Sequence, residues 1–359
     1  MSSRTVAIVG GGIIGCLIAR EVISRSPDTP VVVFDRDGIG TGASRRSAGL
    51  HFPRGATDRV RRMTAYSHDY YLDLVARHPA LPIHSLGMTV VAKQTAASLD
   101  EVYLDHTALT PTVAVPGGLV RVPREAGVWR GQGCHYADVP AVAQAIAHDL
   151  RGRVTFREGL RVNAIDDAGA EVLVRLSTGE TYPAARVVLA PGPWLADRAW
   201  RDLVAPLNAR VKKVVALHIE QRPGPDDGVI VFQDEDAFLL PLRHRGHWLF
   251  SYTHDEWDVD PDTVSGGLDD GILAAAMPLL QQYSPALAEH AVGGRVFCDA
   301  YSADRQPQVR ALDPAGRVIF AGAANGSGYR LAPAIAAEAA GLLHLDGQPS
   351  QPPKEMSPA

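Results

Sequence analysis

At 359 residues, 46% hydrophobic and 21% charged, the chain has the composition of a folded globular protein long enough for two coupled domains. A formal net charge of −5 offers no electrostatic attraction for nucleic acid or an anionic membrane, so neither is expected as a partner. The three cysteines, Cys16, Cys134 and Cys298, are too widely spread for a disulfide framework or a zinc spacing. No metal is therefore expected, and a reducing, cytoplasmic setting is. The first strand begins close to the start of the sequence, with no room ahead of it for a signal peptide, and no apolar run is long enough to span a bilayer.

The chain opens with the apolar run Val6 to Val9, which leads directly into Gly10-Gly11-Gly12-Ile13-Ile14-Gly15. A helical pattern follows through Leu17, Ile18, Val22 and Ile23, and a second apolar run, Val31 to Phe34, ends at Asp35. Strand, glycine turn, helix and acid-ended strand together are a dinucleotide-binding βαβ unit. Gly10 permits the tight turn, Gly12 leaves bare backbone for a pyrophosphate, and Gly15 lets the helix pack close to the sheet. The helix N-terminus stabilises the phosphates. The Asp35 carboxylate is suited to accept hydrogen bonds from ribose hydroxyls.

Gly38 to Gly49 is too rich in Gly and Ser for an element interior and reads as a loop beside the nucleotide. Asp58 to His78 reads as a helix, with Arg59, Arg61 and Arg62 on its solvated face. A strand over Leu86 to Val91 and a helical stretch near Ala96 to Leu104 come next. Asp138 caps a helix running to Leu150, with Pro140 early in it. Strands follow at Val154 to Phe156, Arg161 to Ile165, Glu171 to Leu176 and Arg186 to Ala190.

The pattern then changes. Short strands at Val214 to Ile219, Val229 to Phe232, Ala237 to Leu242 and His247 to Tyr252, then a helix over Gly271 to Tyr283, read as an inserted antiparallel sheet with a helix. The strand Val318 to Ala321 runs into a second glycine-rich turn, Gly322 to Arg330, which opens a helix from Ala332 to Leu345. The fold class expected is α/β: a Rossmann-type domain of residues 1–80, 135–210 and 311–346, with an antiparallel α+β substrate domain of residues 81–134 and 211–310. Residues 347–359, with four prolines, are expected to be a disordered tail.

On these segments the chain resembles the family of FAD-dependent amine and amino-acid oxidoreductases that includes glycine oxidase, sarcosine oxidase and D-amino-acid oxidase. The resemblance covers nearly the whole length and implies FAD as cofactor. Implied FAD contacts are Gly10, Gly12, Ile13, Ile14, Gly15, Asp35 and Arg36 in the first unit, and Ser44, Arg46, Ser47, Ala48, Gly49 and Leu50 in the loop. Val162 falls where the family's backbone meets adenine, and Ala190, Gly192 and Trp194 resemble its A-x-G-x-W strand end. Gly322, Gly326, Ser327, Gly328, Tyr329, Arg330 and Leu331 resemble the turn over the flavin ring. Asp304-Arg305-Gln306-Pro307 resembles the P-D-G-x-P element, with Ala303 and Arg305 replacing its proline and glycine. A second glycine turn so late in the chain also suits an enclosed flavin better than an exchanging nicotinamide.

Arg330 matches the family's cation for the substrate carboxylate; a salt bridge or a flavin carbonyl contact is the plainer reading. Tyr252 and Tyr301 are candidates to share the carboxylate or amine, against ordinary sheet packing. His51 is a candidate contact at the flavin ring, whereas His244 and His247 read as surface groups. Asp299 stands where related members often carry an arginine, so a second guanidinium for the carboxylate is missing there and a cationic amine could be met instead. Cys298 is one place out of register with the cysteine that sarcosine oxidases link to flavin, so FAD is expected to be non-covalent.

The resemblance implies oxidation of a C–N bond in an amino acid or N-substituted glycine, by hydride transfer to flavin N5 and hydrolysis of the imine to an oxo acid and an amine. Dioxygen is the acceptor implied, with hydrogen peroxide as product. Alternatives are a 2-hydroxy-acid oxidase of the same fold, an NAD(P)-dependent dehydrogenase and a flavin-binding component without turnover. Oligomeric state is left open.

Overall fold

The computed structural model describes residues 4–264 and 267–345, so the tail expected at 347–359 lies outside the described residues. The uninterrupted apolar runs form the centre of a six-stranded sheet. Its order is Gln308–Ala311, Val318–Gly322, Arg186–Leu189, Val6–Val9, Val31–Phe34 and Val154–Arg157. All neighbours are parallel except the first pair. Val6–Val9 and Val31–Phe34 are buried at every position, because both faces of the sheet are covered.

Helices Ile13–Arg25, Asp58–Arg77, Val139–Leu150 and Gly328–Leu342 contribute to the core on one face. On the other face lies an antiparallel meander of Val162–Asp167, Val172–Leu176 and Thr181–Ala184. Asp138 caps its helix as expected, accepting from the Ala141 N–H at 3.3 Å. The helix over 58–77 is capped by Thr57, whose hydroxyl accepts from the Val60 N–H at 3.3 Å, with Asp58 in its first turn.

A nine-stranded sheet contains Ala291–Tyr301, Arg210–Ile219, His247–Trp257, Ala237–Leu242, Val229–Phe232, Ile83–Ala92, Gly127–Ala137 and Leu50–His51 in that order, with Thr110–Thr112 also paired to Gly127–Ala137. It is antiparallel except where Val229–Phe232 meets Ile83–Ala92. Helix Asp270–Tyr283 packs on one face with its apolar stripe.

Several elements depart from the pattern in the sequence. Ala291–Tyr301 forms an edge strand that Gly293, Gly294 and Arg295 hide; a Cβ at Gly294 would lie 2.4 Å from the Ala216 carbonyl oxygen, so the glycine permits the pairing. The last helix begins at Gly328, four residues before the expected start, so the second half of the glycine turn is its first turn. It ends at Leu342. Arg59 and Arg61 are not merely solvated: Arg59 pairs with Glu338 at 2.6 Å, and Arg61 donates to carbonyls at 100, 101 and 103.

Candidate active site

Where the parallel strands end, a cavity of about 910 Å³ opens between the two large sheets. That is near the upper end of the range of about 300–1,000 Å³ common for small-molecule sites. At its first end the turn after Val6–Val9 is forced by sterics. Gly10 has φ +108°, and a Cβ there would sit 2.2 Å from the Ala190 carbonyl oxygen. Gly15 does not line the cavity; its missing Cβ, which would fall 1.9 Å from the Gly10 oxygen, is what lets the helix reach the strand.

Gly12, Ile13 and Ile14 face the cavity at a helix start with no side-chain capping bond from its Gly12 cap. The Ile13 N–H instead donates to Ser44 Oγ at 3.0 Å, which ties the helix to the following loop. Asp35 lines the cavity and accepts two backbone bonds, from Gly11 at 2.7 Å and Asp37 at 2.8 Å. Burial raises its carboxyl above the usual range, and these two N–H groups oppose the rise. Arg36 stacks on Trp194 at 4.4 Å and pairs with Asp262, which also accepts from the Trp194 indole at 2.7 Å. Ser44, Ser47, Ala48, Gly49, Leu50, Val162, Ala190 and Gly192 line the cavity too. Arg46 does not; it reaches the Val296 carbonyl at 3.4 Å.

The opposite end is built by the second glycine turn. Gly322, Gly326, Ser327, Gly328, Tyr329, Arg330 and Leu331 all line the cavity. Ala323, Asn325 and Gly326 have φ of 49°, 54° and 73°, and this left-handed stretch swings the chain from strand to helix. The helix it opens has no side-chain cap and no acidic residue in its first turn. Two helix N-termini on one cavity, neither capped by the side chain of its own cap residue, suit a ligand carrying a pyrophosphate and an electron-accepting ring, and in that respect the residues present fit FAD.

Arg330 is 8% exposed. Its guanidinium donates to the Arg54 carbonyl and to Ser327 Oγ, the latter at 2.7 Å, and it makes no ion pair among the described residues. Burial, then the nearby Arg54, lowers its pKa to about 9, so it stays cationic at neutral pH. Phe52 supports it at 4.9 Å. Arg54 lies over the same ring at 5.0 Å and is held by Gln233 at 2.9 Å and Asp236 at 3.6 Å. A second guanidinium is therefore present after all, delivered from Arg54. Phe52, Arg54 and Gln233 were not anticipated; the only hint was an arginine set between Pro53 and Gly55, just after the loop expected beside the flavin.

Asp299 and Tyr301 line the cavity from the edge strand Ala291–Tyr301. Burial alone pushes the Asp299 carboxyl up to about 7. Cys298, just before Asp299, lies outside the cavity, and burial raises its thiol to about 11. Arg305, at the place of the family's glycine, takes φ 58°, so the backbone keeps the conformation that glycine would favour.

Of the candidates for contact with substrate or flavin ring, Tyr252 and His51 are not brought to the site. Tyr252 points away from the cavity because its neighbour Ser251 takes the facing position in an alternating strand, and its ring joins the core beneath helix Asp270–Tyr283. His51 alternates in the same way with Leu50 and Phe52, which line the cavity, while its own ring is fully buried behind them.

Comparison with known proteins agrees with this geometry. The FAD dependent oxidoreductase family profile matches residues 5–342. No curated protein sequence matches the chain. Among solved structures, glycine oxidase from Geobacillus kaustophilus is 19% identical, with 94% of each chain covered and a TM-score of 0.75. NikD, an unusual amino acid oxidase essential for nikkomycin biosynthesis, is 18% identical over 96% of this chain and 94% of its own, with a TM-score of 0.77. L-alpha-glycerophosphate oxidase from Mycoplasma pneumoniae, with FAD bound, is 16% identical over 94% of each chain, at 0.73.

Proposed function

Because the chain belongs to the FAD-dependent oxidoreductase family, we propose that it oxidises the C–N bond of an amino acid or N-substituted glycine beside a non-covalently held FAD. The observation that carries this reading is Arg330, a buried guanidinium facing the cavity without an ion pair. It offers a planar fork to a substrate carboxylate, and Phe52 keeps that fork oriented. FAD held there would supply a two-electron acceptor for the α-hydrogen and its electron pair, and the imine left behind would hydrolyse to an oxo acid and an amine. Dioxygen is the acceptor in this reading, with hydrogen peroxide as product.

Asp299 extends the reading to substrate class. An ionised carboxylate in the cavity favours a substrate nitrogen that arrives as a cation, and its raised pKa lets it take a proton from that nitrogen near neutral pH. The residues at 1–80, 135–210 and 311–346 are assigned to the cofactor, and those at 81–134 and 211–310 to the substrate, although Leu50–His51 and the end of Gly127–Ala137 join the nine-stranded sheet and Gln308–Ala311 joins the six-stranded one. The reading includes a cytoplasmic setting, supported by three buried, unpaired cysteines. Among the described residues, no helix is long and apolar enough to cross a membrane.

Asp299 is also the reason to keep a second reading, a 2-hydroxy-acid substrate, because it could take a hydroxyl proton. Peroxide release measured on glycine, sarcosine, N-carboxymethyl amino acids, D-amino acids and 2-hydroxy acids separates the two. Turnover of an amine is the expected result; turnover of hydroxy acids alone overturns it. A flavoprotein inert toward the whole panel, with artificial electron acceptors as well, would indicate a binding component.

A further inference from the structure

Behind the wall that carries Leu50 and Phe52, three histidines from three elements converge. His51 and His135 stand directly opposite each other where Leu50–His51 pairs with Gly127–Ala137. Their rings stack 4.5 Å apart, tilted by only 2°. Helix Asp58–Arg77 brings His68 down on the same side, its ring 5.5 Å from that of His51. One nitrogen from each of the three lies within 4.8 Å of the other two.

We infer that His51, His68 and His135 bind one divalent transition-metal ion that favours imidazole nitrogen, with zinc as the reference case. The first ground is the state of the nitrogens. Nδ1 of His68 and Nε2 of His135 are buried without a hydrogen-bond partner among the described residues, and His51, with only the Arg330 backbone carbonyl beside its ring, keeps a further buried nitrogen unpaired. His51 is 0% exposed and His135 5% exposed. A buried polar group left unpaired is destabilising, and one cation would engage three of these nitrogens together. A tetrahedral site with zinc–nitrogen bonds of about 2.0–2.1 Å sets its nitrogens about 3.3 Å apart. Stacked rings carry parallel lone pairs, so taking up an ion requires the His51 and His135 rings to turn about χ until three nitrogens reach that spacing.

The second ground is the donor chemistry. Burial lowers the pKa of all three histidines, that of His135 to about 3, so each is neutral and keeps a lone pair at physiological pH. The cluster contains neither carboxylate nor thiolate. Imidazole alone suits zinc, copper, nickel or cobalt and disfavours magnesium and calcium.

The surroundings also suit an ion. The exposed His106 stacks on His68 at 4.5 Å, so a line of imidazoles leads inward from the surface, and Asp69 adds negative potential at its outer end. The Arg330 backbone carbonyl faces the His51 ring. It suits the outer partner that metal-bound histidines use to fix their tautomer. The Arg330 guanidinium opposes a cation here and moderates the affinity. An ion on these side chains would lock the helix to the two strands and hold Phe52, one residue from His51, in place beneath Arg330.

The test uses untagged, full-length flavoprotein, stripped with a chelator, incubated with zinc and dialysed. Expected are one zinc per chain by mass spectrometry, an all-nitrogen and oxygen first shell with three imidazoles by X-ray absorption, and a raised Tm. His68→Gln, at the half-buried position, should lose the zinc and the Tm gain while keeping its flavin spectrum; His106→Ala should keep both. If His68→Gln does not fold, His68→Leu supplies the same comparison. Substoichiometric zinc in the parent overturns the site, as does undiminished zinc in a folded His68 variant, which would place the ion on other histidines such as the half-buried pair His218 and His247.

Discussion

Arg330 donates a hydrogen bond to the backbone carbonyl of Arg54, and the two guanidinium groups lie against the same ring, Phe52, at 4.9 and 5.0 Å from its centroid. Two like charges held on one aromatic platform repel each other, which is part of why the Arg330 pKa falls to about 9. An anionic group entering the cavity would relieve that repulsion. In the proposed reading that group is the substrate carboxylate.

Arg330→Ala should retain FAD and lower kcat/KM for carboxylate substrates by about 3 kcal/mol, roughly two powers of ten, since a charge-assisted bond and its orientation are both lost. Lysine should restore only part of this, having the charge without the fork. Steady-state kinetics on matched amines with and without a carboxylate check the assignment. An equal loss on both would mean that Arg330 serves the flavin instead.

Replacing Phe52 by leucine tests the platform. Each cation–π contact is worth about 0.5–1 kcal/mol, so losing two should lower kcat/KM by about 1–2 kcal/mol, roughly 5- to 30-fold. The flavin absorption spectrum should not change. Unaltered kinetics would show that the guanidiniums are oriented by their hydrogen bonds alone.

Asp299 predicts a pH dependence. If its ionised form pairs with a cationic substrate nitrogen, kcat/KM should rise as pH increases through about 7, the value to which burial pushes it. Asp299→Asn should remove that limb. Stability should run the other way. The folded carboxyl holds a proton that the unfolded one loses near 4, so its contribution is greatest at low pH and falls away as pH rises from about 4 to about 7. Thermal melts of parent and variant across this window should converge toward acid and separate above pH 7, with the variant the more stable there.

Asp35 accepts backbone bonds from Gly11 and Asp37 and so holds the first glycine turn as well as facing the cavity. Asp35→Ala should weaken FAD retention by about 1–3 kcal/mol. Fluorescence titration of apoprotein with FAD measures this, and unchanged affinity would remove Asp35 from the cofactor site.

Pro333 lies within helix Gly328–Leu342 and has no N–H to give the Tyr329 carbonyl, which instead accepts from the Tyr71 hydroxyl at 2.7 Å. Tyr71→Phe should leave that buried carbonyl unpaired and destabilise the protein by about 1–3 kcal/mol. A urea titration followed by circular dichroism checks it. A shift well below this range would mean that the carbonyl finds another donor.

Much of the cofactor end could be read from local spacing. Gly10, Gly12, Gly15 and Asp35 carry their message in a single βαβ unit, where covalent geometry alone decides which residue can turn and which must be bare. The second turn was legible for the same reason, although its helix begins at Gly328 because Tyr329 and Arg330 are already helical. The substrate end was read less well. Tyr252 and Ser251 are adjacent in sequence, and a strand sends one to the cavity and the other to the core, so register had to be known before either could be assigned.

By itself, then, the sequence determined the α/β class, the two glycine turns and the cation at Arg330, because each depends on residues near one another along the chain. Only the tertiary structure decided that Arg54 and Phe52 would join Arg330, that Asp299 would be desolvated beside the same cavity, and that His51 would turn from it to meet His68 and His135. Such encounters depend on strand pairing and on a helix packing across a sheet, and burial, which sets the charge state of each group, exists only once those elements have closed on one another.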